Sequence, residues 1–290
     1  MGNGQHRSYE AAGSRPQSVT VRLVGGPTAL LEIAGLRLLT DPTCDTLGFG
    51  FGAAQPLVAD ESRPIQAVLL SHHRHTDGLD GAGRRLFATV PMTLATATAA
   101  DRLGRNATAL PAWYHLTLDR PDGGWVKVTG VPVQYGPDGS EHVTARATGF
   151  TLTGADMPTV YLSEGNTSLE IFTAVVERFG PVDLAVLPVD ATRTPTQDGY
   201  PMLTADQAAE AATRLDARRV VPLSHGGSQL LTQGADTLRA VFARCTMGDR
   251  LTVLGTGEHC IVRTEIPRIG LHVSASRPPP DDTYGADSTP

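Results

Sequence analysis

Two apolar runs near the start, SVTVRLVGG and TALLEIAGLRLLTDP, constrain this chain more than any other feature. The first alternates apolar and polar positions, and the second is a pair of apolar runs turned at Ala34-Gly35, so they predict strands with a β-hairpin. QAVLLSHHRHTDGLDGAGRRLF then reads as a buried strand over 67–70, a histidine-rich loop, and a helix from about Asp80. TLATATAADRLG reads as a short strand followed by a helix, and WVKVTGVPVQYG, ATGFTLT and TVYLS as three more strands. From there the pattern changes. Helices over 169–179, 204–215 (with Thr204 as N-cap) and 235–245 alternate with strands over 184–188 and 219–223, and strands over 251–254 and 260–263 close the chain. Strands first, then strands alternating with helices, predict α/β layers with helices outside a sheet core. A doubly wound nucleotide fold is the competitor. It lacks its phosphate loop here, because Gly25-Gly26-Pro27 runs into another strand and not into a helix.

Composition limits the partners. A net charge of −6 with scattered Lys and Arg gives no basic face for nucleic acid. No apolar stretch approaches the roughly 18–20 residues of a membrane span. The opening MGNGQHRSYEAAGSRPQ has no apolar core of a signal peptide. Cys44, Cys245 and Cys260 form no close pair, which reads as reduced thiols. A cytoplasmic protein acting on a small molecule is the expectation, with the oligomeric state left open. The segments 1–17 and 274–290 are polar and aperiodic and are expected to be disordered, leaving a single domain over 18–273.

The chemistry concentrates in Ser71-His72-His73-Arg74-His75-Thr76-Asp77-Gly78-Leu79-Asp80. Three imidazoles and two carboxylates lie just past a buried strand, where α/β proteins place functional groups. Imidazole with carboxylate suits a divalent metal such as zinc or iron. A second histidine candidate, His225, follows the late strand VVPLS. The pairs Ser71-His72 and Ser224-His225 lack a GxSxG elbow, so a serine-hydrolase triad has little support. Trp113, Tyr114 and His115 read as an aromatic cluster in a loop that packs on the sheet.

The histidine segment resembles the HxHxDH signature of the metallo-β-lactamase superfamily, and GGPTALLEIAGLRLLTDP resembles its opening hairpin. The order of "LLTDP" and "LLSH" is similar to the UlaG-like and phospholipase-D-like bacterial branch, over about Val19 to Val262. The resemblance implies a four-layer αββα sandwich with two metals held at five stations. At the first, His75 and Asp77 fall on the motif, and the first histidine is His73 by strict spacing or His72 if the loop carries one extra residue. Gly78 stands where the motif ends in histidine. At the next, the expected histidine falls on Tyr135, a hydrogen-bond donor or acid/base. The bridging aspartate falls on Gly165 of Ser163-Glu164-Gly165-Asn166-Thr167, with the Glu164 carboxylate one residue earlier, as ligand or general base. The last histidine falls on Ser224 or, shifted by one, His225. Asp190 and Arg193 lie past a strand end on the active side of such a fold and are candidates for substrate contact.

The ligand count favours one metal over two. His72 or His73, His75, Asp77 and His225 suffice for a single catalytic zinc, iron or manganese. The leading expectation is a mononuclear hydrolase of an ester, lactone, thioester or phosphodiester, with Asp77 or Glu164 accepting a proton. Two alternatives stand beside it. One is a metal-independent biosynthetic cyclase, lyase or isomerase that uses Tyr135, His72, His75 and Glu164. The other is a non-catalytic protein that only binds a ligand.

Overall fold

A computed structural model describes residues 17–42, 63–72, 87, 89–104, 106–134, 147–163, 165–190, 202–223 and 228–264. The chain opens with β1 (Ser18–Gly25), β2 (Thr28–Ile33) and β3 (Leu36–Thr40). The expected hairpin is there: β2 and β3 pair antiparallel from Ala29↔Thr40 to Ile33↔Leu36. Ala34 (φ 50°) and Gly35 (φ 82°) both take left-handed backbone, the conformation that matches a two-residue turn to the twist of its strands. β4 (Ala67–Leu70), β5 (Met92–Ala95), α1 (Ala97–Leu103) and β6 (Ala107–Ala109) follow. The Thr96 side chain caps α1 by accepting from the Ala99 N–H. β3, β4, β5 and β6 run parallel, and β13 (His259–Arg263) returns from the far end of the chain to pair with β1. The result is a seven-stranded sheet in the order β13-β1-β2-β3-β4-β5-β6.

The second sheet is built from β7 (His115–Asp119), β8 (Trp125–Pro132), β9 (Thr148–Thr153), β10 (Val160–Leu162), β11 (Leu184–Pro188) and β12 (Arg219–Leu223). Its order is β12-β11-β10-β9-β8-β7, antiparallel through the meander and parallel from β10 to β12. The helices α2 (Leu169–Phe179), α3 (Ala205–Arg214) and α4 (Ser228–Arg244) belong to this half. In α3, Thr204 and Gln207 form a full capping box.

Strand alternation sets the layers. Val19, Val21, Leu31, Leu38 and Leu69 of one sheet meet Phe150, Leu152, Val160, Leu184 and Val221 of the other in one buried cluster. The intervening residues face outward. Leu30, Leu39, Val68 and Leu70 pack with Ala99 of α1, while Tyr161, Ala185, Leu187 and Val220 pack with Phe172, Ala208 and Phe242 from the three helices. This is the four-layer αββα sandwich, and residues 67–70, 169–179, 184–188 and 219–223 form the elements expected of them.

Three expectations need correction. β6 and β7 were not expected; His115 opens β7, while Trp113 and Tyr114 precede it outside the strand as read, Trp113 with the Arg178 guanidinium 3.9 Å over its ring and Tyr114 exposed. The segment 251–254 contributes one bridge, Leu251↔Val220, and not a strand. The helix expected over 235–245 starts at Ser228, because Gly234 is carried inside it and does not mark its start. The expected helix after Asp80 lies mostly outside the described residues, as do the two segments expected to be disordered, apart from Gln17, whose N–H donates to Asp156 O. Cys245 and Cys260 are free thiols. Among the described residues no helix is long and apolar enough to cross a membrane.

Candidate functional site

The parallel strands of both sheets end on one side of the molecule, which is where open α/β sheets place their ligands. Two chain features bring their ends together. After β3 the backbone turns sharply at Asp41, which takes φ 39°, a left-handed conformation that Asp tolerates better than most residues. That turn aims its carboxylate at the start of the histidine loop: Asp41 Oδ1 accepts from the Ser71 N–H at 2.7 Å. The Asp41 carbonyl accepts from the Thr28 hydroxyl at 2.9 Å, and the Asp41 N–H donates to Leu69 O. Asp41 is thereby tied to β2 and β4 at once. The second feature joins the two sheets, since the Thr148 N–H at the head of β9 donates to Ser71 O at 2.8 Å.

Ser71 and His72 are both buried, and the Ser71 hydroxyl lies 2.8 Å from His72 Nδ1. If His72 serves as a metal ligand, it must use Nε2, with Nδ1–H donating to the Ser71 oxygen; such outer bonds fix tautomer and ring orientation. Beneath these residues a cavity of about 20 Å³ is lined by Thr40, Asp41, Ser71, Thr148 and Ser163, over an apolar floor that includes Phe150 and Leu162. It has room for about one water.

The turn after β10 faces this point from the other sheet. Ser163 donates its N–H to Val186 O, and its hydroxyl accepts from the Asn166 N–H at 3.2 Å. Gly165 takes φ 143°, a backbone region that a side chain disfavours. Asn166 is fully buried. Its Oδ1 accepts from the N–H groups of Gln134 and Ser168, both at 3.2 Å, and its Nδ2 donates to Ser168 O at 3.1 Å. One amide therefore ties the turn to the end of β8. Next to it, Tyr161 points its hydroxyl at Ser163 and Asn166 without closing a bond of ordinary geometry. Burial pushes the pKa of that phenol far above the usual tyrosine range.

Of the residues singled out in the sequence, the structure places His72 and Asp190 at this end of the strands, both buried. Asp190 follows β11, and its N–H donates to Leu203 O. His73, His75, Asp77, Tyr135, Glu164, Arg193 and His225 lie outside the described residues. Among the described residues no three His, Cys, Asp or Glu gather as a metal site. Asp41, Thr148 and Asn166 were missed as site residues. Asp41 carried a signal in its place before Pro42 at a strand end, but Thr148 and Asn166 act through contacts distant in sequence, which no local pattern reveals.

Comparison with known proteins agrees with this geometry. The profile of the family described as a beta-lactamase superfamily domain matches residues 36–225. No curated protein matches the chain. Among solved structures, an isothiocyanate hydrolase from Delia radicum gut bacteria superposes with a TM-score of 0.62 at 18% identity, over 86% of this chain and 100% of that one. Igni18, a metallo hydrolase from the hyperthermophilic archaeon Ignicoccus hospitalis, gives 0.65 at 16% identity, over 86% of this chain and 100% of that one. CmlA, a diiron β-hydroxylase from Streptomyces venezuelae, gives 0.62 at 18% identity, over 87% of this chain and 55% of that one. At these identities the likeness concerns the fold.

Proposed function

Because the chain belongs to the beta-lactamase superfamily, we propose that it is a hydrolase-like enzyme whose centre holds at most one divalent metal. Its substrate is a small-molecule ester, lactone, thioester or phosphodiester, and it sits nearest the UlaG-like and phospholipase-D-like branch. The observation that carries this reading is the Asn166 turn. Where the resemblance expects a carboxylate shared by two metals stands Gly165, and the buried side chain next to it, Asn166, is a neutral amide with its oxygen and its nitrogen both engaged by backbone. An amide supplies no charge to hold two cations together.

The donor chemistry suits one zinc, iron or manganese, with His72 or His73, His75, Asp77 and His225 as the holding residues. A metal bound there supplies Lewis-acid polarisation of the scissile group. Asp77 or Glu164 takes the proton from the attacking water, and Tyr135 donates a hydrogen bond or proton on the leaving side. Asp190 and Arg193 orient the substrate. Asp41 acts as a positioning residue, since its carboxylate fixes the backbone from which the histidine loop departs. The amide at Asn166 also favours a second reading, in which the residues of the same pocket run a metal-free cyclase, lyase or isomerase reaction.

Elemental analysis of protein purified without chelators, together with a panel of esters and phosphodiesters, separates these readings. We expect about one equivalent of metal, with metal and hydrolysis lost together in His75→Ala. Two equivalents of metal would sink the single-metal reading. Turnover retained in a metal-free His75→Ala protein would move the assignment to the second.

A further inference from the structure

At the opposite end of the strands from His72, where β12 begins and β13 ends, a groove of about 580 Å³ opens to solvent. Four arginines line it: Arg218, Arg219, Arg250 and Arg263. Their gathering is notable in a chain with net charge −6. How they are held matters more than their number. Arg218 is paired, its Nη1 lying 2.6 Å from Asp183 Oδ1. Arg219 is held by neutral acceptors, with Nη1 donating to Asp249 O at 2.6 Å and approaching the Thr252 hydroxyl at 3.3 Å. Arg250 donates from Nη1 to Ala217 O at 3.1 Å, and the exposed Asp216 carboxylate stands off at 3.7 Å. Arg219 and Arg250 therefore tie the start of β12 and the turn over Gly248–Arg250 to each other through backbone carbonyls. Such carbonyls fix a guanidinium in place without cancelling its charge. Arg250 forms a loose ion pair with Asp216, whereas among the described residues no carboxylate pairs with Arg219 or Arg263, although Asp249 lines the same groove.

A guanidinium anchored by one nitrogen keeps the remaining N–H groups of its planar fork, and that fork matches phosphate oxygens in pairs. Beside the arginines the groove is lined by two apolar residues, Ile261, which is 49% exposed, and Pro181. Its volume falls in the range of small-molecule sites, about 300–1,000 Å³. We propose that this groove binds a small organic phosphate monoester, with the phosphoryl group taken by Arg219, Arg250 and Arg263 and the apolar body laid along Ile261. The site is separate from the candidate active site, at the other end of β12, and its assignment does not depend on what that site does.

Titration calorimetry of the full chain at low ionic strength, with inorganic phosphate and phenyl phosphate as probes, tests the assignment. Phenyl phosphate is expected to bind more tightly than phosphate. Arg250→Gln is expected to weaken both by about tenfold or more, as for the loss of a charged hydrogen bond. Ile261→Ser is expected to weaken phenyl phosphate alone. Should Arg250→Gln fail to fold, Arg263→Gln removes a charge whose side chain makes no described bond, with the same tenfold expectation. Saturable binding that survives His72→Ala would support the groove. No saturable heat with either probe, or unchanged affinity in folded Arg250→Gln or Arg263→Gln, would overturn it.

Discussion

The two ends of the sandwich solve the problem of polar groups in opposite ways. At the site end Asp41, Ser71, His72 and Asn166 are buried, and each is tied by bonds of 2.7–3.2 Å to backbone or to its neighbour. At the opposite end the charges are half-buried guanidiniums resting on carbonyls around an open groove. Buried bonds are costly to break because the abandoned partner cannot turn to water, whereas exposed ones are replaced by solvent and screened by salt. The first arrangement fixes atoms for chemistry. The second keeps charge available to whatever arrives from solution.

Three substitutions press on that contrast. The largest effect is expected from Asp41→Ala, which strands the buried Ser71 N–H and leaves Ala at φ 39°. It should cost about 2–3 kcal/mol in denaturant unfolding and disturb the histidine loop, with Asp41→Asn recovering part of the loss. Equal stability of Asp41→Ala and wild type would erase the distinction between the ends. Arg218→Ala removes a bridge whose arginine is 38% exposed, and Asp183 keeps its bond to the Thr159 N–H. After screening, a loss of about 0–1 kcal/mol that shrinks as salt is raised is expected. A loss that ignored salt would mean this end is as rigidly specified as the other.

The smallest effect concerns Tyr161. Its phenol has a pKa raised by burial above the ordinary 10.0, so the folded state holds that proton more tightly than the unfolded chain does. The sign follows: the phenol's share of stability is fully present below about pH 10 and is lost as pH rises beyond it. Tyr161→Phe, which deletes a hydroxyl without an ordinary bond, should differ little from wild type at neutral pH. Above that pH it should lose less stability than wild type. Parallel alkaline unfolding curves for the two proteins would contradict this.

The sandwich was legible because its central strands are short apolar runs that stand out locally. β4, β11 and β12 (AVLL, LAVLP and RVVPL) are buried on both faces, between the inter-sheet core and an outer layer, and their bounds follow from the sequence directly. β6 and β7 escaped notice because edge strands bury little: Ala107–Ala109 is half exposed, and β7 buries only Leu118 well. The site was legible in one half. The His72 segment declares itself by composition, but Asp41 reaches Ser71 across 30 residues and Asn166 reaches Gln134 across 32. Those bonds exist only once the strands have been ordered in space, so no window of sequence contains them.

The pairing of β13 with β1 carries a consequence for how the molecule comes into being. Ser18 meets Arg263, so β1 must wait for a strand made far later in the chain. At about 5–20 residues per second of synthesis, β1 spends roughly 12–50 s with one ladder of backbone donors and acceptors unfilled. An open strand edge of that kind invites pairing with a neighbouring nascent chain. Contacts so distant in sequence also slow folding. Truncation before His259 would make that delay permanent, and the expected result is aggregation and not a smaller folded protein.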